Sequence, residues 1–538
     1  MDGGSPISDS LPLKAAPPPL MILAYLRVAG HDQGRPKSWP SISEVVEEMK
    51  EMCKIGGPML VVGLIFYGRA AVSMLFLGRL GKHELAGGSL SIGFANITGY
   101  SILSGLALGM EPISSQAFGA KRYSLMCLTL QRTILILLVA CLPISLLWLK
   151  MKPILLLCGQ DPIITSVAST YLAFSLPDLF FQAVLHPLRI YLRTQGITRP
   201  LTLTAALALV LHIPINLWLV LYMGLGVRGV ALSMVVTDFN LVASLLVYLW
   251  FCGVCGKGSW EGWSLECLRE WRPLLSLAIP SCASVCLEWW WYELMIIFSG
   301  LLSNASDAVA TMGILLQTTS LVYIFPSSLS LAVSTRIGNE LGANRPNRAK
   351  VAMFVAVCCA FMTGIMALTF TTTLRNVWGW VFTSDRGIVA LTARAMPLVG
   401  LCELGNCPQT TGCGVLRGSA RPSLGAHINL GSFYVIGMPV ALLMGFVANL
   451  GFLGLWLGLL AAQGSCALLM MCALAKTDWA LQASRARELT GGAVDCKPVR
   501  KVVSETTKMS GSNSYKVEVA EMLERAPLIS IKVVQPND

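Results

Sequence analysis

Charge is scarce in this chain. Only 13% of its 538 residues are Asp, Glu, Lys or Arg, while 54% are hydrophobic and mean hydropathy is +0.65. So little charge cannot cover an ordinary water-facing surface, which excludes a soluble globular protein. Histidine is scarcer still: the five residues His31, His83, His186, His212 and His427 show no metal-ligand spacing. Neither a metal site nor a cofactor is therefore expected. With no His–carboxylate or nucleophile–base grouping, the chain does not read as an enzyme, which sets aside an intramembrane lipid-modifying one. No Gly-x-x-x-x-Gly-Lys-Ser/Thr stretch occurs, so an ATP-driven pump would need a separate partner. Residues 1–44 lack the charged-then-apolar order of a signal peptide, and Met21–Ala29 is too short to span a bilayer.

What is abundant is long apolar sequence. Twelve runs suit a hydrocarbon layer about 30 Å thick: 55–78, 87–110, 128–149, 163–186, 200–222, 229–251, 274–301, 308–333, 351–373, 387–408, 423–446 and 452–475. They predict an all-α polytopic membrane protein with twelve transmembrane helices. The expected division is a disordered cytosolic tail (1–44), an N-lobe of six helices (45–252), a cytosolic linker (253–272), a C-lobe of six (273–475) and a disordered cytosolic tail (476–538). The halves repeat. Pro58 returns as Pro280, and Gly196-Ile-Thr-Arg199-Pro200 returns as Gly418-Ser-Ala-Arg421-Pro422, both at an offset of 222. Repeated bundles in a polytopic chain point to a secondary transporter.

The net charge of +11 sets topology and does not indicate nucleic acid. Fourteen loop Lys/Arg, among them Arg189, Arg193, Arg336 and Arg417, lie on the side of the N-terminus, against seven opposite. That bias places both termini in the cytoplasm. Seventeen cysteines fall mostly inside the spans as small apolar residues. Cys252-Gly-Val-Cys255 has redox spacing but no second pair. Glu524-Arg-Ala-Pro-Leu528-Ile529 fits an acidic dileucine signal, so the plasma membrane or an endosomal or vacuolar membrane is expected.

Five stretches carry a resemblance: Glu84-Leu-Ala-Gly-Gly-Ser89, Gln116-Ala-Phe-Gly-Ala-Lys121, Glu288-Trp-Trp-Trp-Tyr-Glu293, Arg336-Ile-Gly-Asn-Glu-Leu-Gly-Ala343 and Gly412-Cys-Gly-Val-Leu-Arg-Gly418. Together they resemble the MATE (multidrug and toxic compound extrusion) family, in particular its plant detoxification branch, over roughly residues 45–475. The resemblance implies two six-helix bundles packed as a V around a cavity that opens alternately to each side. It also implies export of small organic solutes in exchange for protons, with sodium as the alternative ion. Ser114-Ser115 stands where many plant members have Cys-Gly, and Asp178 is not general to the family. A sugar-porter-like carrier or lipid flippase would share the repeats without the acidic-Trp-Trp segment.

Acids within spans are the sharpest candidates, because a charge there needs a partner or water. Glu288 and Glu293 come first, with Glu288 about halfway across. Five residues separate them, about 140° of helical turn. Glu288 shares a face with Trp291 and Tyr292, and Glu293 with Trp289 and Trp290. A carboxyl beside aromatic rings can load and release a proton, and the rings suit a cation or a flat apolar solute. In the tenth span, the position where the resembled family often has an acid is Asn406, with Glu403 one turn earlier. Asp178 is the remaining proton candidate, and an ion pair with Arg69 is its structural alternative. Asp238 with Asn240 reads as a satisfied buried pair. Substrate contacts are expected from Trp289, Trp290, Trp291, Tyr292, Gln317 and Asn406. His212 and His427 read as helix-packing residues, and the turns at 114–122 and 336–348 as braces within each bundle. The expected partners are a small organic substrate, protons and the bilayer, with the protein working as a monomer.

Overall fold

The computed structural model describes residues 40–251 and 264–491. Their regular structure is helical throughout, with no strand among the described residues. Twelve helices are long and apolar enough to cross a membrane: α1 Ile42–Leu80, α2 Lys82–Gly119, α3 Tyr123–Leu149, α4 Pro162–Thr194, α5 Arg199–Tyr222, α6 Val227–Phe251, α7 Arg272–Gly300, α8 Ala305–Gly342, α9 Pro346–Val381, α10 Arg386–Gly418, α11 Pro422–Val447 and α12 Gly451–Ala475. An eleven-residue helix, α13, follows at Trp479–Leu489. The chain divides into units Met1–Glu47 and Glu48–Asp538. Of the first unit only residues 40–47 are described; there Ser41 and Glu44 cap each other's backbone N–H groups at 2.8 and 3.3 Å. The site described below belongs to the second unit. Cys252–Cys255 and the dileucine segment at 524–529 lie outside the described residues.

The repeat is written in local backbone chemistry. Asp161 caps the start of α4 by accepting from the N–H groups of Ile163 and Ile164. Asp385 does the same for α10 through Gly387 and Ile388. Left-handed residues recur in pairs, Lys121 with Asn344, Gly196 with Ala420, Gly224 with Asn449 and Gly226 with Gly451, each ending or opening matching helices. Wide π turns also match, at Leu217–Tyr222 in α5 and Leu443–Val447 in α11. Each half has its own apolar core. Trp148, Leu137 and Tyr191 anchor the first, and Trp291, Phe433 and Trp456 the second.

All twelve expected spans are present, but several helices run further than their apolar runs. α2, α4, α8 and α10 continue to Gly119, Thr194, Gly342 and Gly418. Their extensions carry charges, which ends a hydrophobic window but not a helix. Arg189, Arg193, Arg336 and Arg417, expected in loops, are therefore helical, and three of them pair with acids within the protein.

Candidate transport site

The halves meet along a seam where α2 packs against α7 and α8. Glycine makes the approach close. A Cβ on Gly109 would stand 2.3 Å from Ala278 Cα, one on Gly119 2.0 Å from the Asn339 carbonyl oxygen, and one on Gly342 2.0 Å from that of Gln116. Ion pairs reinforce the end of the seam that carries Lys121 and Asn344, the basic end. Arg193 of α4 lies 2.8 Å and Arg417 of α10 3.7 Å from the Glu111 carboxylate, which is fully buried. Arg336 of α8 donates to both oxygens of Glu48 in α1 at 2.7 and 2.9 Å, and to Glu340 at 2.8 Å. The turns expected to brace each bundle thus clamp one half to the other.

Beyond this closed stretch lies a cavity of about 390 Å³ lined by Asn96, Ile97, Glu288, Trp289, Tyr292, Glu293, Leu316, Gln317, Thr319, Ser320 and Tyr323. Both α7 acids reach it despite the turn of about 140° between them. The cavity wraps a face of α7 broad enough to include positions 288, 289, 292 and 293. Glu288 is buried, and the Glu293 carboxyl turns toward Gly93 of α2, whose missing side chain leaves room for it. Gln317 lines the same cavity.

The four aromatic residues separate. Trp289 and Tyr292 line the cavity. Trp290 donates from Nε1 to the Ile97 carbonyl across the seam at 3.1 Å. Trp291 is core: only 1% exposed, it packs on Phe433 and Tyr434. The three consecutive Trp positions span 200° of helix, so they cannot all face one space.

Glu403 and Asn406 are hydrogen-bonded to each other. Asn406 Nδ2 donates to Glu403 Oε2 at 2.8 Å. Thr410 hydroxyl lies 3.2 Å from both Asn406 Oδ1 and Gln409 Oε1. Gln409, which sequence reasoning missed, also neighbours Glu288, so the string runs from Glu403 to the cavity wall. Its sequence signal is a polar stripe at 403, 406, 409 and 410, one face of an otherwise apolar helix. Tyr323 and Asn96 were missed as well; Asn96 opens a π turn at Asn96–Tyr100, an irregularity that periodicity does not reveal.

In the first half, Asp178 accepts from the Tyr100 hydroxyl at 2.7 Å. Arg69 pairs with Asp238 instead, whose other oxygen accepts from Gln182 at 2.8 Å. Asn240 is not its partner. His212 is a packing residue held by Ser73 at 3.0 Å and Thr237 at 2.8 Å.

Comparison with known proteins agrees with this architecture. The MatE family profile matches residues 58–218 and 280–443, one segment in each half. Arabidopsis thaliana Protein DETOXIFICATION 48 is 60% identical over 454 residues, 84% of this chain and 85% of that protein. Protein DETOXIFICATION 49 of the same plant is 55% identical over 475 residues, 88% and 94% of the two chains. The crystal structure of the eukaryotic MATE transporter AtDTX14 aligns with a TM-score of 0.80 at 32% identity, covering 83% of this chain and all of that one. The Vibrio cholerae MATE transporter VcmN, in its bent form, shares the fold at a TM-score of 0.70 and 17% identity. With both halves matched and plant relatives covered almost end to end, this chain belongs to the MATE family: it is a multi-pass membrane efflux carrier of small molecules, and not an enzyme.

Proposed function

We propose that the carrier exports organic solutes in exchange for protons, with Glu288 as the group for which proton and substrate compete. The observation that carries this reading is the placement of Glu288: a buried carboxyl on the wall of the cavity, flanked by Trp289, Tyr292 and Tyr323. Either a proton or a cationic group neutralises it there, and occupation by one excludes the other. Glu293 offers a second acid on the same wall. Behind the wall, Glu403 with its Asn406 partner offers a further buried carboxyl, and Asp178 with Tyr100 is a further proton-holding group in the first half. Substrate contacts fall to Trp289, Tyr292 and Gln317.

Alternating access follows from the seam. With the basic end closed by Gly119, Gly342, Glu111 and Glu48, the cavity lies beyond it. Parting α2 from α7 and α8 at that end exposes the same cavity to the other compartment. The Lys/Arg bias makes the basic end cytoplasmic, with both termini on that side.

The test is efflux of a chemically mixed set of labelled solutes from proteoliposomes under an imposed proton gradient. Wild type exports a subset only while the gradient lasts, and Glu288→Gln does not, although it inserts normally. Gradient-dependent export by Glu288→Gln would overturn the assignment, and export that follows sodium would change the ion.

A further inference from the structure

A single turn of α2 joins the cavity to a buried acid of the first half. Asn96–Tyr100 is a wide π turn, in which the N–H of Ser101 donates to the Asn96 carbonyl five residues back; such turns are frequent at functional sites. At one end Asn96 and Ile97 line the cavity. At the other the Tyr100 hydroxyl donates to the buried Asp178 of α4 at 2.7 Å. Neither Tyr100 nor Asp178 lines the cavity itself. The turn is held on two more sides. Trp148 of α3 donates from Nε1 to the Thr98 hydroxyl at 3.0 Å and meets the Tyr100 ring edge-on, 5.6 Å between centres. It also fills the space that Gly99 leaves, where a Cβ would stand 2.5 Å from Trp148 Cζ2. Across the seam, the Ile97 carbonyl accepts from Trp290 Nε1 at 3.1 Å and from the Ser101 hydroxyl at 2.9 Å. A turn clasped in this way moves as one piece, so a change of grip at Tyr100 reaches Asn96 and Ile97. Asp178 is also faced by Arg69 of α1, Asp238 of α6, and Tyr171 and Arg189 of its own helix. Arg69 pairs with Asp238, and the hydrogen bond that Asp178 receives from α2 is that of Tyr100.

We propose that this π turn couples the proton on Asp178 to substrate fit in the cavity, with Tyr100 as the positioning residue. This deepens the proton-exchange reading and rests on it, giving Asp178 a task that Glu288 does not perform. An ionised carboxylate accepts a stronger hydrogen bond than a neutral one. Ionised Asp178 therefore pins Tyr100 and keeps Asn96 and Ile97 in place in the wall. A proton taken up by that carboxylate loosens the grip, and the wall with it. Substrate then fits best while Asp178 is unprotonated, the same sense as its competition with the proton at Glu288. Protons in both halves thus favour release.

The experiment is equilibrium binding of a cationic rhodamine to the purified full-length protein in lipid nanodiscs, read by fluorescence anisotropy across the pH range in which the protein stays monodisperse. At the alkaline end, Tyr100→Phe and Asp178→Asn should each raise the Kd about five- to ten-fold, and the double variant no more than either alone. As pH falls, the wild-type Kd should converge on that of Tyr100→Phe, because Asp178 then releases Tyr100 by itself. Competition at Glu288 is common to both proteins and cancels in their ratio. A ratio that stays constant with pH would overturn the proposal and leave Tyr100 a packing residue. So would wild-type affinity in Tyr100→Phe, or additive losses in the double variant. If Asp178→Asn failed to fold, the ratio of Tyr100→Phe to wild type would still decide. Failure of wild type to bind the rhodamine would instead overturn the competition at Glu288, and this proposal with it. Binding is read without a gradient, so failure of proton exchange alone would show in vesicle transport and not here.

Discussion

Adding one methyl group at the closed end of the seam should open it. In Gly119→Ala the new carbon would stand 2.0 Å from the Asn339 carbonyl oxygen and 2.9 Å from the Ala343 nitrogen. Ordinary carbon–oxygen contact needs about 3.3 Å, so α2 and α8 must part by more than 1 Å or distort. Both obstacles are backbone atoms, which cannot swing aside like a side chain. Overpacking of this kind costs about 1–3 kcal/mol. A state already parted at the basic end escapes that cost, so the ratio of open to closed carriers should rise about 5- to 150-fold. Hydrogen–deuterium exchange in nanodiscs reads this directly. Peptides covering 110–119 and 334–342 should lose protection in Gly119→Ala, while those from α5 and α6 keep it. Gly57→Ala is the control, because its added carbon meets nothing within 4 Å. Unchanged exchange at both peptides in Gly119→Ala would refute the reading of the seam as the closed gate.

Other substitutions separate packing from transport. Glu111→Gln leaves Arg193 and Arg417 facing each other without a counter-charge, and should lower stability by about 3–5 kcal/mol in thermal unfolding. Trp291→Ala empties a core site and should cost about 3–5 kcal/mol, whereas Trp289→Ala, on the cavity wall, should change substrate KM with little change in Tm. Gln409→Leu removes the amide that neighbours Glu288; proton-coupled efflux should fall about ten-fold or more, with the purified protein still monodisperse.

Much of the fold was legible because its signals are long-range and redundant. Twelve apolar runs, the proline pair Pro58 and Pro280, and the repeated Gly–Arg–Pro turns all agree. Helix ends were less legible where function intrudes: Arg193, Arg336 and Arg417 look like loop residues until their partners are seen, Glu111 within the first half for Arg193, and Glu48 and Glu111 across the seam for Arg336 and Arg417. Of the site, Glu288, Glu293, Trp289, Tyr292 and Gln317 were all named from sequence and meet at one cavity. Trp291 was misread because adjacent identical residues on a helix face different ways. The pairing of Arg69 with Asp238, which leaves Asp178 to Tyr100, joins residues far apart in the chain that no spacing rule connects.

The most direct test of proton exchange is to let substrate drive protons. Proteoliposomes loaded with a cationic rhodamine and a lumenal pH dye are diluted into rhodamine-free buffer with no pH gradient. If one carrier exchanges the two, efflux of the rhodamine should acidify the lumen in wild type and leave it unchanged in Glu288→Gln. Rhodamine leaving wild-type vesicles with no change in lumenal pH would contradict the mechanism.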